Sequence, residues 1–284
     1  PTAEGCGPAA AQTFDGGRTW QALPAPPAAG EPVFVNALFG WLHAEGSVFV
    51  TPDGGQTWSP VARPGWVDVL APAAGETWSV ERACADGAPE PRECPLALAA
   101  SADGGQTWAI RSVVPGSERG AFVRLARADA VTAWLTFGAP GVGPVVYLSR
   151  DAGLSWEGPV PVCPAEYPNL RWLGAADAQV AWAVCGGAPA PYESDYTKAV
   201  LRSVDGGRNW TLQLEVTDPL APAGLLKLAE VNDLQALSAE RAVITQCPGR
   251  IPGSSAPSGM VILTQDGGLT WAGLACAAVG LWFL

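Results

Sequence analysis

The stretch GGAPAPYESDYTK (186–198) gathers Tyr192, Glu193, Asp195, Tyr196 and Lys198 behind a Gly/Pro-rich lead. Rings and carboxylates crowded on one loop suit a polar or carbohydrate ligand, and equally the anchors of a protein interface. Glu166 and Tyr167 form a similar couple upstream, so three of the four tyrosines fall in one sector. A second set of charges recurs inside short apolar runs. VDVL, VRLA, LRWL and LKLA carry Asp68, Arg124, Arg171 and Lys227 at matching places. Charges repeated in that way can line a water-filled channel or grip an anionic group. The sole histidine is His43 and no C-x-x-C occurs, so neither a metal site nor a cofactor is expected.

Composition bounds the elements that hold these residues. With 34 glycines and 27 prolines in 284 residues, helices are punctuated away, while 48% hydrophobic content supports a large core. The class is globular, turn-rich and all-β. A net charge of −11 excludes nucleic acid and anionic membrane surfaces as partners, and no apolar run spans a membrane. Seven cysteines without a metal pattern point to disulfides in an oxidising compartment, with one thiol left over. No export signal precedes Pro1, and the chain reads as a trimmed form that is secreted, periplasmic or at the cell surface.

One motif repeats six times: TFDGGRTW (13–20), TPDGGQTW (51–58), SADGGQTW (101–108), SRDAGLSW (149–156), SVDGGRNW (203–210) and TQDGGLTW (264–271). Its aspartates are Asp15, Asp53, Asp103, Asp151, Asp205 and Asp266, spaced 38 to 61 residues apart. Each can accept hydrogen bonds from turn amides and from the Ser/Thr hydroxyl two residues earlier. The glycines permit the positive φ of a tight hairpin. The tryptophan, at a fixed offset, can bury its ring against the neighbouring unit. Between motifs the order recurs too: an apolar strand, a strand with Trp or an aliphatic residue, the strand into the motif, and the strand leaving it.

These residues resemble the Asp-box, or BNR, repeat of sialidases, sortilin-type receptors and the photosystem II assembly-factor family. The short GW strands most resemble the last. The resemblance covers almost the whole chain and implies a six-bladed β-propeller with four-stranded antiparallel blades, forming one domain over 1–284. VGLWFL (279–284) would complete the blade begun by the N-terminus and close the ring. The boxes would then be structural and lie on one face. The long loops 84–94, 186–198 and 248–259 would share the other, with the charges of the first strands beside the axis.

The sialidase branch uses three arginines, a Tyr–Glu nucleophile pair and an aspartate acid/base. Here Arg124 and Arg171 could serve as two of the arginines, but Lys227 stands at a third place and lacks the guanidinium fork, and RIP (250–252) falls in a loop instead of an inner strand. The reading is therefore a non-catalytic, monomeric binding or assembly module for a protein or carbohydrate ligand, with a glycoside hydrolase as the alternative. On the blade scheme Cys84 pairs with Cys94, Cys163 with Cys185, and Cys6 with Cys276, leaving Cys247 free. The competing pairing is Cys247 with Cys276.

Overall fold

The computed structural model describes residues 10–15, 18–44, 47–62, 67–73, 75–84, 93–139, 143–187, 198–215, 229–248 and 260–275. They are all-β, in small antiparallel sheets of β-propeller type, and they group into two compact units, Pro1–Val123 with Leu284 and Arg124–Phe283.

The first unit holds a two-stranded sheet, β1 (Ala10–Gln12) and β2 (Gln21–Leu23), and two four-stranded blades. Blade I is β3 (Glu31–Phe34), β4 (Gly40–Ala44), β5 (Ser47–Thr51) and β6 (Ser59–Pro60). Blade II is β7 (Val67–Ala73), β8 (Glu76–Arg82), β9 (Leu96–Ser101) and β10 (Ala109–Val113).

The second unit holds three blades. Blade III is β11 (Ala121–Arg127), β12 (Ala133–Ala139) and β13 (Gly143–Ser149), its first strand starting just before the division. Blade IV is β14 (Asn169–Ala175), β15 (Ala181–Gly186), β16 (Lys198–Ser203) and β17 (Thr211–Glu215). Blade V is β18 (Ala229–Ala236), β19 (Ala242–Pro248), β20 (Met260–Thr264) and β21 (Ala272–Ala275).

There are thus five blades where six were expected. The first repeat sits on the two-stranded sheet alone, and the residues expected from the sequence to complete it and close the ring lie in 1–9 and 276–284, outside the described residues. Blade III departs in a second way, having three strands. Glu157 bridges Leu148, but Pro159 and Pro161 follow and carry no N–H to continue a ladder.

Middle strands are covered on both faces, which explains their composition. β9 (LALAAS) and β15 (AWAVCG) are buried throughout, and alanines at 97, 99, 181, 183 and 199 leave room for the indoles between blades. Trp41, Trp78, Trp134 and Trp182, all on second strands, are at most 1% exposed. Each contact between blades has a direction. Trp41 of blade I meets Trp108 of blade II edge to face at 6.0 Å; Trp134 meets Trp210 at 6.0 Å, and Trp182 meets Trp271 at 5.9 Å. The glycine before the motif tryptophan is part of the fit. A Cβ on Gly207 would stand 1.9 Å from the Trp134 ring, and φ there is +82°.

The motif turn is the same structure in the five copies described throughout, at 51–58, 101–108, 149–156, 203–210 and 264–271. Thr51 Oγ1 donates to Asp53 Oδ1 at 2.8 Å and accepts the Gly55 N–H at 2.8 Å. Asp53 then accepts the Thr57 N–H (2.8 Å) and hydroxyl (2.6 Å) on separate oxygens. Asn209 Nδ2 replaces the hydroxyl in the fifth copy. These bonds hold Asp15, Asp103, Asp205 and Asp266 at about 2, well below an ordinary carboxylate, and lower Asp53 and Asp151 in the same direction.

Candidate functional site

Each blade has two ends. One carries the motif turn and the loop between first and second strands; the other carries the loops 84–94, 186–198 and the chain crossings between blades. The sequence placed its candidates at the second.

The first strands begin at that end, and three of them carry a β-bulge at one register: between Val67 and Val69, Leu170 and Trp172, and Val231 and Asp233. The extra residue of a bulge leaves the ladder and is re-aimed. It is Asp68 in β7 and Arg171 in β14. LKLA (226–229), read from the sequence as the first strand of the last blade, lies outside the described residues except for Ala229. The described strand is AEVNDLQA, and Lys227 itself lies outside the described residues.

Asp68 is consumed by structure. Arg82, its side chain 3% exposed, donates through Nε to Asp68 at 2.5 Å, and through its other nitrogens to the carbonyls of Cys94 (3.3 Å) and Gly120 (2.6 Å). One buried guanidinium therefore ties the stem of the Cys84–Cys94 disulfide loop to the crossing that leaves blade II. That crossing is further pinned by Ser117, buried, which accepts the Leu96 N–H at 2.8 Å and donates to Val114 O at 2.6 Å.

In the second unit the Arg124 guanidinium lies 4.0 Å over the Trp172 ring, and Trp172 Nε1 donates to Val231 O of blade V at 2.7 Å. Gly174 lets β18 approach, since its Cβ would meet Leu234 O at 3.1 Å. Arg124 is thus held on an aromatic face along the inner strands, while Arg171 is exposed.

Glu166 is exposed on the crossing into blade IV, next to half-buried Tyr167. The Tyr167 hydroxyl donates to the Glu215 carboxylate at the end of β17, a partner the sequence did not suggest. Burial, that hydrogen bond and the charges of Glu215 and Glu166 push the phenol up to about 12. The Cys163–Cys185 disulfide staples this crossing to β15, and Asn169 Nδ2 bonds Gly187 O at 3.0 Å. Tyr192, Glu193, Asp195 and Tyr196 lie outside the described residues; Lys198 begins β16 and is buried. His43 Nε2 bonds the Val67 carbonyl at 2.8 Å. Among the described residues no cluster of three or more His, Cys, Asp or Glu could hold a metal, and no helix is long and apolar enough to cross a membrane.

No protein-family model matches the sequence, and no curated protein matches it. Solved structures do. An ancestral GH74 enzyme aligns over 91% of this chain at 13% identity and a TM-score of 0.55, and the tricorn protease over 86% at 8% identity and 0.51. This chain spans about a third (34%) of the former and a quarter (24%) of the latter. YCF48 from Cyanidioschyzon merolae aligns over 89% of this chain and 88% of its own length, at 16% identity and 0.44. The likeness is one of fold, the β-propeller.

Proposed function

We propose that the protein is an exported, non-catalytic propeller that binds or assembles a protein or glycan ligand at the blade ends opposite the motif turns. In this reading the six turns are Asp-boxes, the chain forms one closed domain through 279–284, and Cys6–Cys276 staples the closure. Two disulfides at the binding ends are in keeping with an oxidising compartment. The observation that carries the reading is the Tyr167–Glu215 pair. The Tyr167 hydroxyl is spent as a hydrogen-bond donor to Glu215, tying the crossing into blade IV to the end of β17. The Asp68 carboxylate and the Arg124 guanidinium are likewise engaged by the protein itself.

One feature favours a glycoside hydrolase as the second reading: Tyr167 and Glu215 converge from separate segments, as a sialidase pair would. Turnover of a fluorogenic sialoside at mildly acidic pH, lost in Tyr167→Phe, would reverse the ranking. The binding reading expects no turnover, and hydrogen-exchange protection at 163–169 and 211–215 when a glycan or protein from an array screen is bound. Protection at the motif turns alone would sink it.

A further inference from the structure

Every motif aspartate receives a side-chain donor on its second oxygen. In five copies the donor is a hydroxyl, on Thr19, Thr57, Thr107, Ser155 or Thr270. In the fifth copy it is the Asn209 amide, whose Nδ2 donates to Asp205 Oδ2 at 2.6 Å. The exchange leaves the turn intact. The Asn209 N–H reaches Asp205 Oδ1 at 2.9 Å, as the Thr107 N–H reaches Asp103 Oδ1 in blade II.

The exchange does change the chemistry of the turn. A hydroxyl has one hydrogen, which the aspartate takes; a primary amide has two, so the bond to Asp205 leaves a second on Nδ2. Thr211 stands two residues beyond Asn209, with Trp210 between, and Asn-x-Thr is the acceptor sequence for N-linked sugar. The chain has four asparagines, and the residues two places after Asn36, Asn169 and Asn232 are Leu38, Arg171 and Leu234. Asn209 alone is eligible.

The fold presents this triplet at the surface. Asn209 ends the turn after β16, Thr211 opens β17, and both are exposed, while Trp210 packs inward on Trp134. Val204, next to the aspartate that Asn209 bonds, is 58% exposed. A bulky, solubilising sugar suits such a position.

We propose that Asn209 is an N-glycosylation site that takes its sugar from a lipid-linked glycosyl diphosphate. Nδ2 bonds to the sugar C1, and the C1–O bond to the diphosphate breaks. The diphosphate leaves with that electron pair, and one Nδ2 proton passes to a base of the transferase. The other hydrogen stays for Asp205, so the motif turn survives the modification; a threonine bearing sugar on its oxygen would lose that bond. The inference rests on the exported reading above, because such donors are used in the oxidising compartment that closes Cys84–Cys94 and Cys163–Cys185. It also separates the two blade ends, with sugar at a motif turn and the opposite end clear for the ligand.

Mass spectrometry of the native protein tests it. Peptide-N-glycosidase should release one glycan and convert Asn209 to aspartate. The full chain, secreted from a eukaryotic host behind a cleavable export signal, should carry sugar at the same residue. In that host Asn209→Thr, the sister residue, and Thr211→Ala should each abolish the glycan, and Asn209→Thr should melt as the parent does. Exported native protein with both disulfides closed and a bare Asn209 overturns the proposal and leaves the exported reading standing. Native protein held in the cytosol with free thiols overturns both. A bare Asn209 in the secreted chain, or a glycan that persists in Asn209→Thr, overturns the proposal as well.

Discussion

At the scale of single residues, the motif aspartates make a sharp acid signature. The folded values of Asp15, Asp103, Asp205 and Asp266 lie near 2, and Asp53 and Asp151 are lowered in the same direction, so the stability they contribute is complete above about pH 4. It is lost as pH falls toward 2. Melting should therefore drop steeply over that window, and Asp103→Ala or Asp205→Ala should lower it at pH 7 and flatten the drop. An unchanged profile would mean that the turns hold without their carboxylates. These groups sit at the surface, so the effect of each is smaller than a buried position would give. Arg82 is the opposite case. Its removal as Arg82→Ala strands Asp68 and two carbonyls, and should cost about 3–5 kcal/mol in chemical denaturation. Tyr167 offers a spectroscopic check: Glu215→Gln removes the negative charge and leaves only a neutral acceptor, so the Tyr167 phenolate transition should move down from about 12 toward 10 in an ultraviolet titration.

At the scale of the blade, the indole–glycine contact is the joint most exposed to test. Gly207→Ala forces a Cβ into the Trp134 ring at a left-handed φ, for an expected loss of roughly 2–5 kcal/mol from strain and overpacking together. A near-neutral result would show that the two blades slide apart freely. This joint was legible in the sequence because aspartate, glycines and tryptophan recur at fixed offsets, and local spacing is what a sequence displays best. A second repeat was equally present and weaker. N-A-L-F-G-W, D-A-V-T-A-W, D-A-Q-V-A-W and S-A-E-R-A-V mark the loops that cap the motif turns, and their common feature is one side-chain oxygen. LKLA lies outside the described residues except for Ala229, and the described inner strand of blade V carries the polar Asp233 at a half-buried position. The Tyr167–Glu215 pair was not legible at all. It joins residues 48 apart through the path of a crossing, which no local pattern encodes.

At the scale of the whole chain, the disulfides are the test of how its ends are disposed. Cys84–Cys94 and Cys163–Cys185 close one blade-end loop and one crossing, and each spans few residues. The proposed Cys6–Cys276 link spans nearly all of them, where the loop-entropy model gives its largest stabilisation, about 5 kcal/mol before strain. Non-reducing peptide mapping should recover that pair with Cys247 free. A 247–276 peptide would refute the closure and the blade assignment at both ends. The excess of acidic residues bears on partners at this scale too: association with a basic protein should slow as salt rises, and glycan binding should not.

The direction of the tryptophan contacts has a consequence during synthesis. Trp41 waits for Gly105 and Trp108, Trp134 for Gly207 and Trp210, and Trp182 for Trp271, so each of these three indoles is made well before the surface that covers it. At roughly 5–20 residues per second on the ribosome, each stays bare for several seconds. The nascent chain carries this exposed ring forward from one blade to the next. A chaperone that follows translation would find its handle at Trp41, then at Trp134, then at Trp182, and would lose the last of these when residue 271 emerges.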